Sequence, residues 1–572
     1  MNSPVANHPE NLSAASAEYN VQFWAEEANR IHWQTPFDHV VEQIAFGPRS
    51  TWFAGGKTNL CYNALDRHLP IRKAQDAIIH RDYLGQIEHI TYQSLWEKVN
   101  SLSSLMLELN ICEQSRVMIC LPSTPMAAVA MLACARLGAM HIVVYSAMTT
   151  DNLAQRLVAS EPELILHCSE KRGRISMPDI QMALAQTNIK CASIDISADN
   201  FAVAMVNNLG RVIPCAWVSA AHPSHLLFTS GTTGTPKGIV RDTGGYAVAL
   251  MSSMTHLFNI EDDEIFFTTA DVGWVTGHSY GIYAPLLRGI TTVISESSPV
   301  NSPGNSGWQL IHAVGVTRLL TIAGAMRLAR QQGKPQIPMK RLKRVYLAGE
   351  PLDNATHDWL TKNLDVSIDN HYWQTESGWP LLAGNGCELT PVLTRSVTII
   401  NPETGLACAE GEVGMLVVRA TLGPGGMQTL WNDDIQHDQR YWLLYEGQWC
   451  YATQDCAVWH AGKIRLHGRI DDVINVGGKR LSTVEVENAL AGIDEIMEVA
   501  ATRISHPVLG EMVALYVVTN CTDKTACSCL KKEIKARIKS VCGRYAVPRK
   551  IAFIRAIPKT FSGKFLRREL EK

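Results

Sequence analysis

From about Ala77 to Ile294, short runs of apolar and β-branched residues alternate with longer stretches in which apolar positions recur three and four apart. Arg116–Pro122 (RVMICLP) predicts a strand, Met126–Gly138 (MAAVAMLACARLG) a helix ended by its glycine, and His141–Ser146 (HIVVYS) the next strand. Strand, helix and strand in that order are the signature of parallel strands joined by crossover helices that cover a sheet. From about Gly411 the texture changes, and Gly411–Ala420 and Gly462–Gly478 predict short strands with tight turns. Beyond Arg469 a mixed stretch carries a predicted helix at Ser482–Leu490 and a basic one at Cys529–Val541. That stretch is long enough for a small separate domain. The expected fold class is α/β. A large N-terminal domain, residues 1–470, layers mostly parallel sheets with helices and adds a strand-rich subdomain; a small α+β domain, residues 471–572, follows.

Length agrees, since 572 residues are more than one core usually organises. The charges, 52 basic against 54 acidic side chains, leave a net of −2 and argue against a nucleic-acid binder, which needs a strongly basic face. The most apolar stretch, Pro125–Tyr145, is broken by Arg136 and Gly138, so a buried helix, a turn and a strand are expected there and no membrane span. The first residues lack the basic flank and apolar core of a signal peptide. Fifteen cysteines lie without paired metal-ligand spacing, Cys527 and Cys529 forming a lone C-x-C. Free thiols in a reducing cytoplasm are the expectation.

The densest chemistry lies in Leu226–Val240 (LLFTSGTTGTPKGIV), an apolar strand running into a loop of Gly, Ser and Thr that ends in Pro236-Lys237-Gly238. Glycines let backbone N–H groups turn toward an anion, while hydroxyls and a lysine add donors and charge. The loop is not a Walker motif, because Gly238 stands where Ser or Thr would have to follow the lysine.

This segment resembles the signature of the adenylate-forming superfamily, which includes acyl-CoA synthetases, luciferases and peptide-synthetase adenylation domains. The resemblance implies that Ser230, Gly231, Thr232, Thr233 and Gly234 hold ATP phosphates, with Thr229 and Lys237 counted as catalytic. Four more segments are similar to family motifs in the expected order. Tyr346–Pro351 (YLAGEP) would line the adenine with Gly349, Glu350 and Pro351. Tyr372–Gly378 (YWQTESG) would supply Gln374, the phosphate contact Thr375 and the magnesium carboxylate Glu376. One carboxylate beside nucleotide phosphates suffices for Mg²⁺. Tyr451–Asp455 (YATQD) would place Asp455 on the ribose hydroxyls, although by itself Asp455 reads equally well as a turn former and Glu376 as a solvated carboxylate. Gly468–Asn475 (GRIDDVIN) would provide the cofactor contact Arg469 and the hinge Asp471, about which the small domain turns. In the tail, Ile557–Leu570, Lys564 resembles the adenylation lysine, which stabilises charge building on the phosphates. A lysine of that kind suits a protein acetyltransferase and deacetylase pair as an off switch, because acetylation removes its charge.

Phe23–Asp38, Gly55–Leu69 and Ala270–Gly289 are similar to the acetyl- and propionyl-CoA synthetase branch, and the match covers nearly the whole chain. In that branch Trp373 would close the acyl pocket and Val275 and Thr276 would line it. Ala348 stands where acetate enzymes typically carry Val and propionate enzymes Ala. The missing methyls leave room for one more substrate carbon, which implies propionate over acetate; Arg241–Leu250 and Tyr372–Pro380 point the same way. For coenzyme A, Arg172 and Arg174 in the basic turn Lys171–Arg174 would meet the 3′-phosphate. Gly478 and Arg480 would border the pantetheine tunnel, with Lys539 nearby. Asn370 replaces a family Asp that accepts from the adenine amino group, a task an amide oxygen can also perform. The implied reaction is ATP- and Mg²⁺-dependent ligation of propionate to coenzyme A through propionyl-AMP. The acetate enzyme is the near alternative and a non-catalytic nucleotide sensor the distant one.

Overall fold

The computed structural model describes residues 14–43, 48–145, 148–169, 180–229, 236–296, 306–419, 422–476, 479–507, 510–559 and 565–571. Two large sheets form its body. In the nine-stranded sheet, Ser367–Tyr372, Arg344–Leu347, Arg318–Thr321, Ile265–Thr268, Thr291–Ser295 and Asp76–Arg81 lie side by side and parallel. Antiparallel strands close both of its edges. In the seven-stranded sheet, Pro223–Thr229, Met140–Val143, Arg116–Cys120, Leu164–His167 and Ala192–Asp195 are parallel, with two antiparallel strands added at one side. Strands buried on both faces read as continuous apolar runs, which is why the early part of the chain shows blocks and little two-residue alternation.

The expected strand–helix–strand unit is present as Arg116–Cys120, Pro125–Leu137 and Met140–Val143. Pro125 starts the helix where its missing N–H costs nothing, and Gly138, at φ 71°, ends it in the left-handed conformation. Every residue from Ala127 to Leu137 is buried, so the helix is apolar all round because it lies between layers. Its one charge, Arg136, is only 1% exposed; Nη2 donates to both oxygens of Asp66, at 2.7 and 2.6 Å, and Nη1 to the Ile213 carbonyl at 2.7 Å. Among the described residues no helix is long and apolar enough to cross a membrane.

A five-stranded antiparallel sheet built from Val397–Ile400, Gly414–Arg419, Trp442–Tyr445, Gln448–His460 and Lys463–Arg469 forms the strand-rich part. A last sheet draws only on strands between Val473 and Phe553. It packs with helices Thr483–Ala489 and Lys524–Val541 around a core of its own that includes Leu481, Val486, Leu515, Ile534 and Ile538. The second of those helices begins at Lys524, earlier than the expected Cys529. Asp523 caps it by accepting from the Ala526 N–H at 2.8 Å, a signal the basic pattern alone does not contain.

Six strands position the site: β1 (Pro223–Thr229), β2 (Lys237–Asp242), β3 (Arg344–Leu347), β4 (Ser367–Tyr372), β5 (Gln448–His460) and β6 (Lys463–Arg469). The parallel strands Ile265–Thr268, β3 and β4 end at the same edge of their sheet. The segments leaving them carry Val275 and Thr276, then Ala348 to Pro351, then Trp373 to Glu376. Open α/β sheets bind ligands outside the carboxyl ends of their strands, and this edge is such a place.

Candidate active site

β1 and β2 pair antiparallel with Thr229 opposite Lys237. The two flank the connection that contains Ser230, Gly231, Thr232, Thr233 and Gly234, which lies outside the described residues. So do Arg172, Arg174, Gly478, Lys564 and the side chain of Arg480. Lys237 is 8% exposed, and its Nζ has no hydrogen-bond partner among the described residues. Burial and the nearby Arg440 pull its pKa below the ordinary lysine value, against Glu376 and Asp433, which support the charge. A buried ammonium without a partner is costly, and an anionic ligand would relieve it.

Glu376 belongs to the loop after β4, where it accepts from the Tyr441 hydroxyl at 3.1 Å. No described residue donates to its other oxygen, so the carboxylate is held at one end and free at the other. That donor chemistry fits one Mg²⁺ shared with phosphates. The loop turns at Gly378, φ 78°, where a Cβ would lie 2.0 Å from the Gly425 carbonyl oxygen and 2.9 Å from Arg241. Only glycine satisfies both restraints. Gly378→Ala is expected to cost about 1–3 kcal/mol or more in stability, as overpacking does, and to lower the thermal midpoint and the activity together. An unchanged midpoint would contradict this reading.

Asp455 is not in a turn. It sits inside β5, opposite Arg469 on β6, and its Oδ2 accepts from the Tyr372 hydroxyl at 2.7 Å and from Gln374 Nε2 at 2.6 Å. Gln374 also donates to the Thr453 carbonyl at 2.8 Å and accepts from the Tyr451 hydroxyl at 2.6 Å. β4 and β5, from different sheets, are thereby cross-linked by side chains. Burial disfavours the Arg469 charge, but Asp455, Glu376 and Asp471 outweigh it and hold its pKa above the ordinary value. Asp471 itself is exposed, in the single turn Ile470–Asp472 between β6 and the next strand.

Gly349 follows β3 with φ 86°, a left-handed turn that glycine adopts without strain. Glu350 is engaged by Arg327 and by the Gly324 N–H at 2.8 Å, so its carboxylate anchors the turn to the neighbouring helix Ala323–Gln332. Arg327 also donates to the Pro351 carbonyl. Asn370 is buried in β4 and donates from Nδ2 to the Gly386 carbonyl at 2.8 Å. That bond orients the amide, and no described residue engages its oxygen, the atom expected to accept from adenine. Lys539 stands exposed in the last turn of Lys524–Val541.

Ala348 is 2% and Trp373 8% exposed, and with the partly buried Val275 they belong to one apolar cluster. Leu347 pairs with Asn370, so the strand ends bearing Ala348 and Trp373 are immediate neighbours. Tyr280 meets the Trp373 ring edge-on at 5.3 Å and is tied to Ser253 by a 3.0 Å hydrogen bond. Tyr280 lies in a π-helical segment, Gly277–Tyr283, which starts after Thr276; such segments often mark functional sites. Tyr280 and the buried histidines behind it carry no role visible in the sequence. His141 and His278 bring their Nε2 atoms to 2.9 Å, and the Tyr246 and Tyr283 hydroxyls adjoin them at 3.1 and 3.3 Å. With ring centroids 5.1 Å apart and nearly parallel, the two imidazoles share one hydrogen bond as donor and acceptor. Burial pushes the pKa of His141 down to about 3 and that of His278 well below the usual value, so this support for the π-helix is neutral.

Residues 65–431 match the family described as AMP-binding enzyme. Residues 10–64 match the acetyl-coenzyme A synthetase N-terminus, and residues 485–564 the AMP-binding enzyme C-terminal domain. The chain is 35% identical to the propionate–CoA ligases of Salmonella typhimurium and Escherichia coli, with 96% of this chain and 93% of each relative aligned. It is 34% identical to the acetyl-coenzyme A synthetase of Methylorubrum populi, over 98% of this chain and 91% of that protein. Its fold is similar to that of the acetoacetyl-CoA synthetase from Streptomyces lividans, with a TM-score of 0.84, 23% identity, and coverage of 98% of this chain and 89% of that one. The chain therefore belongs to the AMP-binding enzyme family.

Proposed function

We propose that this protein ligates propionate to coenzyme A in two steps, consuming ATP and releasing AMP and pyrophosphate. A propionate oxygen attacks the α-phosphorus of ATP, the bond to the β-phosphate oxygen breaks, and pyrophosphate leaves. The sulfur of coenzyme A then attacks the acyl carbon of propionyl-AMP, and the carbon–oxygen bond to AMP breaks. The observation that carries this reading is that the segment leaving β4 carries Trp373, neighbour of Ala348 in a small apolar corner, then Gln374, bonded to Asp455, and Glu376, whose charge supports that of Lys237.

Lys237 and Thr229 face the ATP phosphates from the two ends of the glycine-rich connection, with Thr375 beside them. Asp455, held by Tyr372 and Gln374, receives the ribose hydroxyls, and Gly349, Glu350, Pro351 and Asn370 border the adenine. Glu376 would hold Mg²⁺, which offsets charge on the departing pyrophosphate. Lys564 adds a second cation during adenylation, and the small domain then turns at Asp471 to admit coenzyme A beside Gly478, Arg480, Arg172, Arg174 and Lys539. Acetylation of Lys564 by a protein acetyltransferase switches the first step off, and native protein in which mass spectrometry never finds Lys564 modified would count against that. The fifteen free thiols suit a reducing cytoplasm.

Ala348→Val tests the pocket. Filling the space of one methylene shifts discrimination by about 1–3 kcal/mol, or roughly 10- to 200-fold. The variant is expected to lose kcat/KM for propionate and to keep most of it for acetate. An unchanged propionate-to-acetate ratio would remove Ala348 from the pocket. The relatives named as acetyl-coenzyme A synthetases make acetate the second reading, and wild-type preference decides between the two.

A further inference from the structure

β2 carries Lys237 and Arg241 four residues apart, and a strand places such residues on the same face. The Glu376 charge supports that of Lys237, and Arg241 bonds the main chain of the same segment. Its Nη1 donates to the Gly425 carbonyl at 2.8 Å and to the Glu376 carbonyl at 3.3 Å, and its Nη2 donates to the Thr375 carbonyl. Arg241 is 1% exposed and forms no salt bridge among the described residues. Burying a guanidinium without a carboxylate is expensive, and here backbone carbonyls stand in for lost water at Nη1 and Nη2, while Nε has no partner among the described residues. The structure makes room for it. Gly378, whose Cβ would come within 2.9 Å of Nη1, leaves the space that the guanidinium fills.

We propose that Arg241 is a positioning residue for adenylation: by gripping the carbonyls of Thr375 and Glu376 it fixes where those two side chains point. The proposal rests on the function given above. A peptide whose carbonyl is pinned has little freedom to rotate, so the Glu376 carboxylate stays aimed at the metal and the Thr375 hydroxyl at the phosphates. The planar fork of arginine matters, because one cation must serve three acceptors from two loops. Lysine, a single point donor, cannot hold all three in register. The Gly425 contact extends the grip to a second loop, where the Met427 N–H also bonds the Glu376 carbonyl at 2.7 Å. Glu376 is thus held at its carbonyl by two donors and at its side chain by Tyr441.

The test separates the half-reactions in Arg241→Gln and Arg241→Lys. Propionate-dependent ATP–pyrophosphate exchange reads the first, and conversion of supplied propionyl-AMP with coenzyme A reads the second. Only the first needs the metal carboxylate. For R241Q we expect exchange to fall at least 30-fold, with half-saturation by Mg²⁺ moved at least fivefold higher, and thioester formation to stay within threefold of wild type. R241K should show the same imbalance at smaller amplitude, and it decides the matter if R241Q does not fold. Equal loss in both half-reactions, or no loss in either, overturns the proposal. If wild-type protein shows no exchange with any short acid, it is the proposed function that fails, and that outcome is read before any variant is made.

Discussion

Glu376→Gln is expected to slow propionate-dependent ATP–pyrophosphate exchange by about 100- to 1000-fold, the usual cost of removing one preorganised electrostatic partner of a transition state. The substitution is nearly isosteric. The amide oxygen can still accept from Tyr441, and the main chain is held independently by Arg241 and Met427. What disappears is one negative charge in a cluster where Lys237, Arg440 and Arg469 would otherwise face one another. The concentration of Mg²⁺ needed for half-maximal exchange should rise as well, because a carboxylate is a far better ligand for a hard cation than an amide. Removing Mg²⁺ with a chelator should abolish exchange in wild type. Exchange by Glu376→Gln within fivefold of wild type would take Glu376 out of the metal site.

Lys564→Ala should separate the two steps most cleanly. The lysine belongs to the tail beyond the last sheet, and its proposed duty is confined to adenylation. Exchange is expected to fall about 100- to 1000-fold, again the cost of one lost stabilising group, while conversion of supplied propionyl-AMP to the thioester stays within twofold of wild type. Equal losses in both steps would mean that Lys564 serves the fold, or both reactions, and the two-job account of the small domain would fail. The effect should also be insensitive to the acid used, because the lysine meets phosphate and not the acyl chain.

Much of this was legible in the chain. Glycine punctuation and apolar blocks carry the strand–helix–strand pattern directly, and the Pro125–Leu137 helix with its Gly138 stop is a case where local rules and tertiary burial agree. The strands that lead into the motifs were visible for the same reason. Motif order also singles out Lys237, Glu376 and Asp455 as candidates, but their settings were not readable. Asp455 looked as suited to a turn as to a ribose contact, because its partners Tyr372 and Gln374 lie 83 and 81 positions away. Arg241 carries no visible role in the sequence, since all its hydrogen bonds go to main-chain carbonyls, which have no sequence signature, 134 to 184 positions away. His141, His225 and His278 were missed for a related reason. Each is one polar residue in or beside an apolar run; His141 and His225 are partners on adjacent parallel strands of the seven-stranded sheet, and the π-helix packed on that sheet adds His278.

The central claim is that a small acyl pocket bounded by Ala348 and Trp373 feeds an adenylating centre. It is tested most directly by kcat/KM for acetate, propionate and butyrate with ATP, Mg²⁺ and coenzyme A, following AMP. The account predicts that propionate leads acetate by about tenfold or more, as one well-filled methylene allows, and that butyrate falls away. Acetate leading would contradict it and would mean that another side chain fills the space Ala348 leaves.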